Sequence, residues 1–416
     1  MTLSKYEHLK HQEKQQATWL LLIGIILISA NLRGPLTSVG SLITFIRDDL
    51  SISNTLIGSL TTLPLLAFAF LSPLVPKIYE RLGMELTIFI ALIVLTIGVI
   101  FRSLFDVTTL FIGTALIGLG IAVGNVLLPA FVKMKFPLKV GMVTGIYVVS
   151  MNLFGALGSG VSVPLSSFRD IGWKGSLGVW AFLAFIALIV WLPQLKTRAN
   201  KEAMSEVAAT GANTNGNVWR SPLAWCITIF MGLQSLIFYT TITWLPDLLQ
   251  TYGYSSSAGG WLLFLLQFTV IPFNFIIPII AEKMRNQILL SVITASLLIL
   301  GSIGLLINHP FFIPAAVISI GIGCGSAFSL SMMFFSLRTN NSHEAANISG
   351  MAQSFGYLLA AFGPVVFGAL HDLTNGWVLP LSMLIAISVI ILIAGIEAGK
   401  DKSISNAPKD KTVSNV

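Results

Sequence analysis

Long apolar runs separated by short polar segments occupy the chain between residues 17 and 396. They lie at roughly 17–46, 52–75, 84–104, 107–132, 140–167, 174–194, 220–249, 256–281, 287–308, 311–337, 346–370 and 377–396, and each is near the length of about 20 residues that a helix needs to cross hydrocarbon. Membrane strands would show short alternating segments instead. The pattern predicts an all-α polytopic membrane protein of about twelve transmembrane helices. The polar start MTLSKYEHLKHQEKQQ leads into an apolar run that is too long for a signal peptide and is followed by further runs, so no cleavage is expected.

Composition agrees with the pattern. Apolar residues make up 55% of the chain and charged residues only 10%, with a mean hydropathy of +0.86. A soluble domain carries about 25% charge. The net charge of +7 reads as an orientation signal because of where the basic residues fall. If both termini are cytoplasmic, Arg47, Arg102, Arg169 and Lys174 lie on outer segments and Arg33 lies within the membrane, while every other Lys and Arg is inside. That is the positive-inside bias. It implies contact with an anionic lipid bilayer, and nucleic acid is not expected as a partner. Trp19, Trp191, Trp219 and Trp225 near the inner face and Trp244, Trp261 and Trp377 near the outer face are expected to form interfacial belts. Cys226 and Cys324 lie in different runs and read as small apolar fillers.

The longest polar interval, KTRANKEAMSEVAATGANTNGNV, divides the chain. The expected organisation is a cytoplasmic tail (1–16), a six-helix bundle (17–195), a cytoplasmic linker (196–219), a second six-helix bundle (220–396) and a cytoplasmic tail (397–416). The halves echo each other at an offset of about 200 residues, as parallel repeats do. Pro76-KIY-Glu80-Arg81 matches Pro278-IIA-Glu282-Lys283, and Gly120-IAV-Gly124 matches Gly321-IGC-Gly325. Gly141-Met142 and Gly350-Met351 open the fifth and eleventh runs. The glycine pairs read as close-packing sites. Glu80, Arg81, Glu282 and Lys283 read either as solvated turns or as a gating charge relay that breaks when the halves rock.

Arg33 stands about halfway along the first run, and the sequence offers no other charge at such a depth. A guanidinium in hydrocarbon costs at least a few kcal/mol and usually faces a cavity. Gly34 and Pro35 interrupt the helix directly after it, and broken backbone is tolerated where it lines a cavity. Asn31, Asn125, Asn152, Gln234, Tyr239, Gln267, Asn274, Gln353 and Tyr357 stand among the other polar side chains inside apolar runs. For each amide the bland reading is a hydrogen bond between helices. Arg33 lacks an acid at its own depth, and its planar fork suits a carboxylate-like or planar anion. The same scarcity leaves proton coupling to edge groups such as Asp372 or His371, or to a protonated substrate. No HExxH, P-loop or GxSxG motif is present, so an enzyme is not expected, nor is a cofactor or a metal.

ANLRGPLTSVG, GIAVGNVLLPAFVK, GLQSLIFYTTITWLPDLL, GMAQSFGYLLAAFGP and GALHDLTNGW together resemble the cyanate permease and nitroimidazole transporter branch of the major facilitator superfamily, over about residues 20 to 396. The resemblance implies a twelve-helix carrier of small solutes that works by alternating access in a bacterial inner membrane. It matches Asn31, Arg33, Asn125, Gln234, Tyr239, Gln353 and Tyr357 to the family's polar positions. The superfamily signature Gly-x-x-x-Asp-Arg-x-Gly-Arg appears here as Pro76-KIY-Glu80-Arg81-Leu82-Gly83-Met84, which lacks the first glycine and the final arginine.

The expectation is a secondary carrier, monomeric, for a small anionic or planar polar solute. Substrate would meet Asn31, Arg33, Asn125, Asn152, Gln234, Tyr239, Gln353 and Tyr357. An exporter of neutral or anionic toxicants with the same fold, and a transporter-like sensor, are the alternatives.

Overall fold

Proline and glycine decide where the apolar runs stay straight. The computed structural model describes residues 2–52, 54–104, 106–168, 171–196 and 218–404, and no strand occurs among them. The helices are α1 (Thr2–Leu50), α2 (Asn54–Leu71), α3 (Val75–Leu82), α4 (Met84–Arg102), α5 (Val107–Lys135), α6 (Val140–Ser167), α7 (Gly172–Gly178), α8 (Trp180–Lys196), α9 (Pro222–Thr251), α10 (Ser256–Lys283), α11 (Ile288–Ile307), α12 (Phe312–Leu337), α13 (Ser342–Thr374) and α14 (Val378–Gly399). Among the described residues 11 helices are long and apolar enough to cross a membrane, or up to 12 if a pair bent by 60°, Thr62–Leu71 with Val75–Leu82, is one span. The chain is a multi-pass membrane protein. The second apolar run was expected to be one helix over 52–75. Pro73 and Pro76 supply no N–H and disfavour helix in the residue before each, so the run breaks there and resumes as α3. Most of the expected linker, with Arg198 and Lys201, lies outside the described residues, as do Arg169, Lys409 and Lys411.

Helix starts carry their usual signals. Ser221 caps α9 ahead of Pro222, and Asn341 Oδ1 accepts from Glu344 N at 2.8 Å at the start of α13. Asp106 Oδ1 accepts from Thr109 N at 2.9 Å ahead of α5, and these N–H and hydroxyl donors hold the exposed carboxyl below the usual carboxylate range.

The described chain gathers into two compact units, and α2, α3, α5 and α6 each contribute to both. The first holds the chain to Pro64, Ile78–Gly124 and the stretch from Ser150 through α8. Its core joins Val39, Leu42 and Ile46 of α1 to Leu60, Leu110, Trp173 and Leu177. The second unit holds Leu65–Lys77, Asn125–Val149 and the chain from Val218 onward. In it α9 packs on α13 and α14, and α12 on α10 and α11.

Glycines bring the helices of each unit close together. Leu266 O and Val270 O of α10 lie 2.6 Å from where a Cβ on Gly321 and on Gly325 would stand, and Ala91 O of α4 lies 2.7 Å from a Cβ on Gly120. These positions serve packing, as read from the sequence. The tightest crossing in the first unit joins α4 and α5, where a Cβ on Gly113 would lie 2.5 Å from Gly98 O and 2.7 Å from Arg102 Cα. Backbone cannot yield there as a side chain would. Gly113→Ala is expected to destabilise the detergent-solubilised protein by about 1–3 kcal/mol. Gly160→Ala, at a helical position with nothing within 4 Å, serves as the control and should not lower the melting temperature.

Tryptophans divide between the two environments. Trp19 and Trp261 are exposed, as belt residues are. Trp191 is a correction to the expected inner belt, because its side chain is fully buried. It lies against Gly24 of α1, and its Nε1 donates to Glu85 O of α4 at 3.0 Å. Trp377, expected in the outer belt, is also buried, with its ring 6.0 Å from that of Trp244.

Candidate functional site

The interruption expected at Gly34 and Pro35 does not occur: α1 runs as one helix through both, and in the first unit this stretch meets the glycine face of α6. A Cβ on Gly158 would lie 2.5 Å from Gly34 O, and one on Gly155 would lie 3.0 Å from Arg33 Cγ and 3.2 Å from its Cδ. The arginine stem therefore runs in a groove that exists because α6 carries glycine there. Two hydroxyls tie the helices together beyond the groove: Thr37 Oγ1 donates to Gly155 O at 2.7 Å, and Ser41 Oγ to Ser159 O at 2.7 Å. Arg33 is half-buried, and its Nη1 donates to Asn152 Oδ1 at 2.8 Å. The structure thus joins two residues that the sequence placed in different helices. Asn31 is buried and turns the other way, its Nδ2 donating to Leu27 O at 2.8 Å and to Leu183 O of α8 at 3.4 Å. Its Oδ1 has no hydrogen-bond partner among the described residues.

The second unit holds the other candidates. Gln353 Nε2 donates to Asn125 O at 2.7 Å and to Ser349 Oγ at 3.0 Å, which binds α13 to α5. The buried Tyr357 ring lies 5.0 Å from Phe68. Gln234 is buried and bonds its neighbour Ser235 at 2.7 Å, while Tyr239 is half-buried beside Phe238. Asn274 Oδ1 accepts from Ser329 Oγ at 2.9 Å, the plain helix-to-helix bond considered for such amides. His371 stacks on Trp377 with centroids 4.1 Å apart and lies 3.3 Å from Asp372 at the end of α13.

Of the gating candidates, Glu80, Arg81 and Lys283 are exposed. Glu282 packs across α6, where a Cβ on Gly141 would lie 2.7 Å from its Oε2. One contact within the second unit was not anticipated. Lys133 of α5 donates to Ser336 O at 2.6 Å, to Thr339 Oγ1 at 2.7 Å and to Thr339 O. Nearby, Ser354 Oγ donates to Ala69 O at 2.6 Å, and a Cβ on Gly350 would lie 2.6 Å from Ser72 O. Arg338, just beyond α12, is buried and donates through Nε to Ala398 O at 2.8 Å and through Nη2 to Gly399 O at 2.9 Å and to Gln287 Oε1. Burial pulls the Arg338 guanidinium down to about 10, and the Asp401 carboxylate opposes that shift. It stays charged at neutral pH.

Arg102 is a second correction. The sequence placed it on an outer segment, but it is 1% exposed and its Nη1 donates to Pro35 O at 2.6 Å. Run length alone could not show this, since a charge at the end of an apolar run reads as surface. Gly98 and Gly113, which draw α4 and α5 together around it, were the available signal.

Relatives agree with this architecture. The model of the Major Facilitator Superfamily matches residues 20–364. An uncharacterized transporter of Bacillus subtilis (strain 168), YycB, is 44% identical over 96% of this chain and 98% of its own length. The 2-nitroimidazole transporter of Escherichia coli (strain K12) is 40% identical over 92% of this chain and 96% of its own. The cyanate transport protein CynX of the same organism is 25% identical over 86% and 92%. A solved proton:xylose symporter, XylE, superposes with a TM-score of 0.73 at 14% identity, covering 93% of this chain and 96% of that one, and shows the fold alone. The chain belongs to the major facilitator superfamily, in the branch of the cyanate and nitroimidazole transporters, and is a membrane transporter.

Proposed function

We propose that this transporter is a secondary carrier that moves a small anionic or planar polar solute across the bacterial cytoplasmic membrane by alternating access. The observation that carries the reading is Arg33: a half-buried guanidinium within a membrane helix, with its stem in a glycine groove and one nitrogen on an amide oxygen. A guanidinium has five donors in a planar fork, and Asn152 occupies one direction. Such a planar fork can engage a carboxylate-like or nitro group with two parallel hydrogen bonds. The names of the relatives support this chemistry, because cyanate is a small anion and a nitroimidazole is planar and polar.

Asn31, Asn125, Asn152, Gln234 and Gln353 would orient the solute, and Tyr239 and Tyr357 would wall it. The basic bias of one set of loops supports cytoplasmic placement of both termini. The protein is proposed to act as a monomer built from two six-helix halves joined by the linker at 196–219.

A thermal-shift screen of the purified protein against cyanate, nitrate, small carboxylates and 2-nitroimidazole tests the solute class. A selective ligand at about 100 times its Kd stabilises the native state by about 2.7 kcal/mol. For a solute so identified, Arg33→Ala is expected to lower affinity about tenfold or more, and Arg33→Lys to restore part of it, since a point charge replaces a fork. Parental transport by both variants would remove Arg33 from the site. Uptake measured in right-side-out and in inverted vesicles separates import from export.

A further inference from the structure

The buried Arg102 is not explained by packing. Its formal charge has no carboxylate partner among the described residues, and its Nε and Nη2 have no hydrogen-bond partner there. Only Nη1 is bonded, to Pro35 O. Burying a charge in this way is costly, and an apolar side chain of similar volume often does as well or better where stability alone is at stake. The side chain is also poorly placed to withdraw, because the α4 backbone that carries it is pressed against Gly113 of α5. Pro35 stands two residues beyond Arg33 on α1, a rise of about 3 Å along a helix. Both guanidiniums therefore meet the same turn of α1, one carried by it and the other bonded to it.

We propose that Arg102 is a specificity-determining residue of the transport site: its buried charge adds to that of Arg33 at this turn of α1 and favours anions over neutral solutes there, without touching the solute. The proposal rests on the reading that solute meets Arg33. Two unit charges about 10 Å apart at an effective dielectric of about 20 change an equilibrium by roughly tenfold. Salt screens such a buried charge far less than a surface one.

The test needs a readout of charge that does not depend on solute. In full-length protein with Cys226 and Cys324 replaced by serine, Arg33→Cys places a thiol at this turn of α1, and its alkylation by iodoacetamide is followed against pH. Adding Arg102→Gln removes the charge but keeps a donor for Pro35 O, and it should move the alkylation midpoint up by about one pH unit, a tenfold change. Arg102→Lys should leave the midpoint near that of the parent. An unchanged midpoint in Arg102→Gln overturns the proposal.

The second arm measures binding of nitrate, cyanate and neutral 2-nitroimidazole to protein that retains Arg33. Arg102→Gln is expected to weaken the anions about tenfold and leave 2-nitroimidazole unaffected. Equal weakening of anionic and neutral probes would mark a structural role and overturn the proposal. A shifted midpoint with nitrate binding unchanged in Arg33→Ala would uphold the field of Arg102 while sinking the Arg33 reading.

Discussion

Arg338→Ala is expected to destabilise the solubilised protein by about 3–5 kcal/mol, the loss of two or three hydrogen bonds made by a buried charged donor. The reason lies in what the guanidinium joins. α14 ends at Gly399, and the last carbonyls of a helix have no partner within it. Arg338 supplies donors to two of them, Ala398 O and Gly399 O, and reaches Gln287 Oε1 ahead of α11. Its own carbonyl accepts from Ile404 N at 2.8 Å, which fixes the chain beyond α14. A positive charge beside the ends of α12 and α14 also complements both helix dipoles. Alanine would leave Ala398 O and Gln287 Oε1 without that donor and Gly399 O with the Gln287 N–H alone, and water has little access to a residue only 1% exposed. Lysine can reach one acceptor and should recover part of the loss. Asp401→Asn should cost under about 1 kcal/mol, because that ion pair spans 4.0 Å and the carboxylate is partly exposed. Thermal unfolding of the three variants in one detergent checks the ranking, and equal melting temperatures for Arg338→Ala and Asp401→Asn would refute it.

The membrane fold was legible because it depends on run length, and run length is what a sequence states directly. The bend between α2 and α3 was legible in part: Pro73 and Pro76 were visible, but the expected end at residue 75 left α3 unread. Arg33 could be found because it interrupts an apolar run near its middle. Its partner could not be chosen among several amides, since whether Asn152 or another reaches it depends on how α6 rotates against α1. The glycine at 155 settles that rotation by leaving room for the arginine stem. Arg102, Lys133 and Arg338 escaped for a common reason. Each sits at the end of an apolar run, where a charge ordinarily reaches water, and only tertiary packing turns it inward.

Lys133→Met is expected to shift the equilibrium at the basic end of the molecule toward opening by about 2–4 kcal/mol, the value of one or two charge-assisted bonds. Lys133 projects from the last turn of α5 into the carbonyls that end α12, accepting partners at Ser336 and Thr339. These carbonyls lie at the negative end of a helix dipole, so an ammonium suits them better than a neutral donor would. Under the alternating-access reading this end must open in each cycle, and the contacts of Lys133 would then be exchanged for water. Methionine matches the length of the stem but offers no donor, leaving the carbonyls short of partners only while the end is closed. Ser72 provides the reporter, since it is fully buried and its carbonyl lies beneath Gly350. With Cys226 and Cys324 replaced by serine, Ser72→Cys should react slowly with a thiol reagent in the parent. Adding Lys133→Met should speed that labelling roughly 30-fold or more if reaction follows the open population, and Lys133→Arg should leave it near the parental rate. Labelling that stays slow in Lys133→Met, with the melting temperature preserved, would show that Lys133 decorates the closed end without holding it.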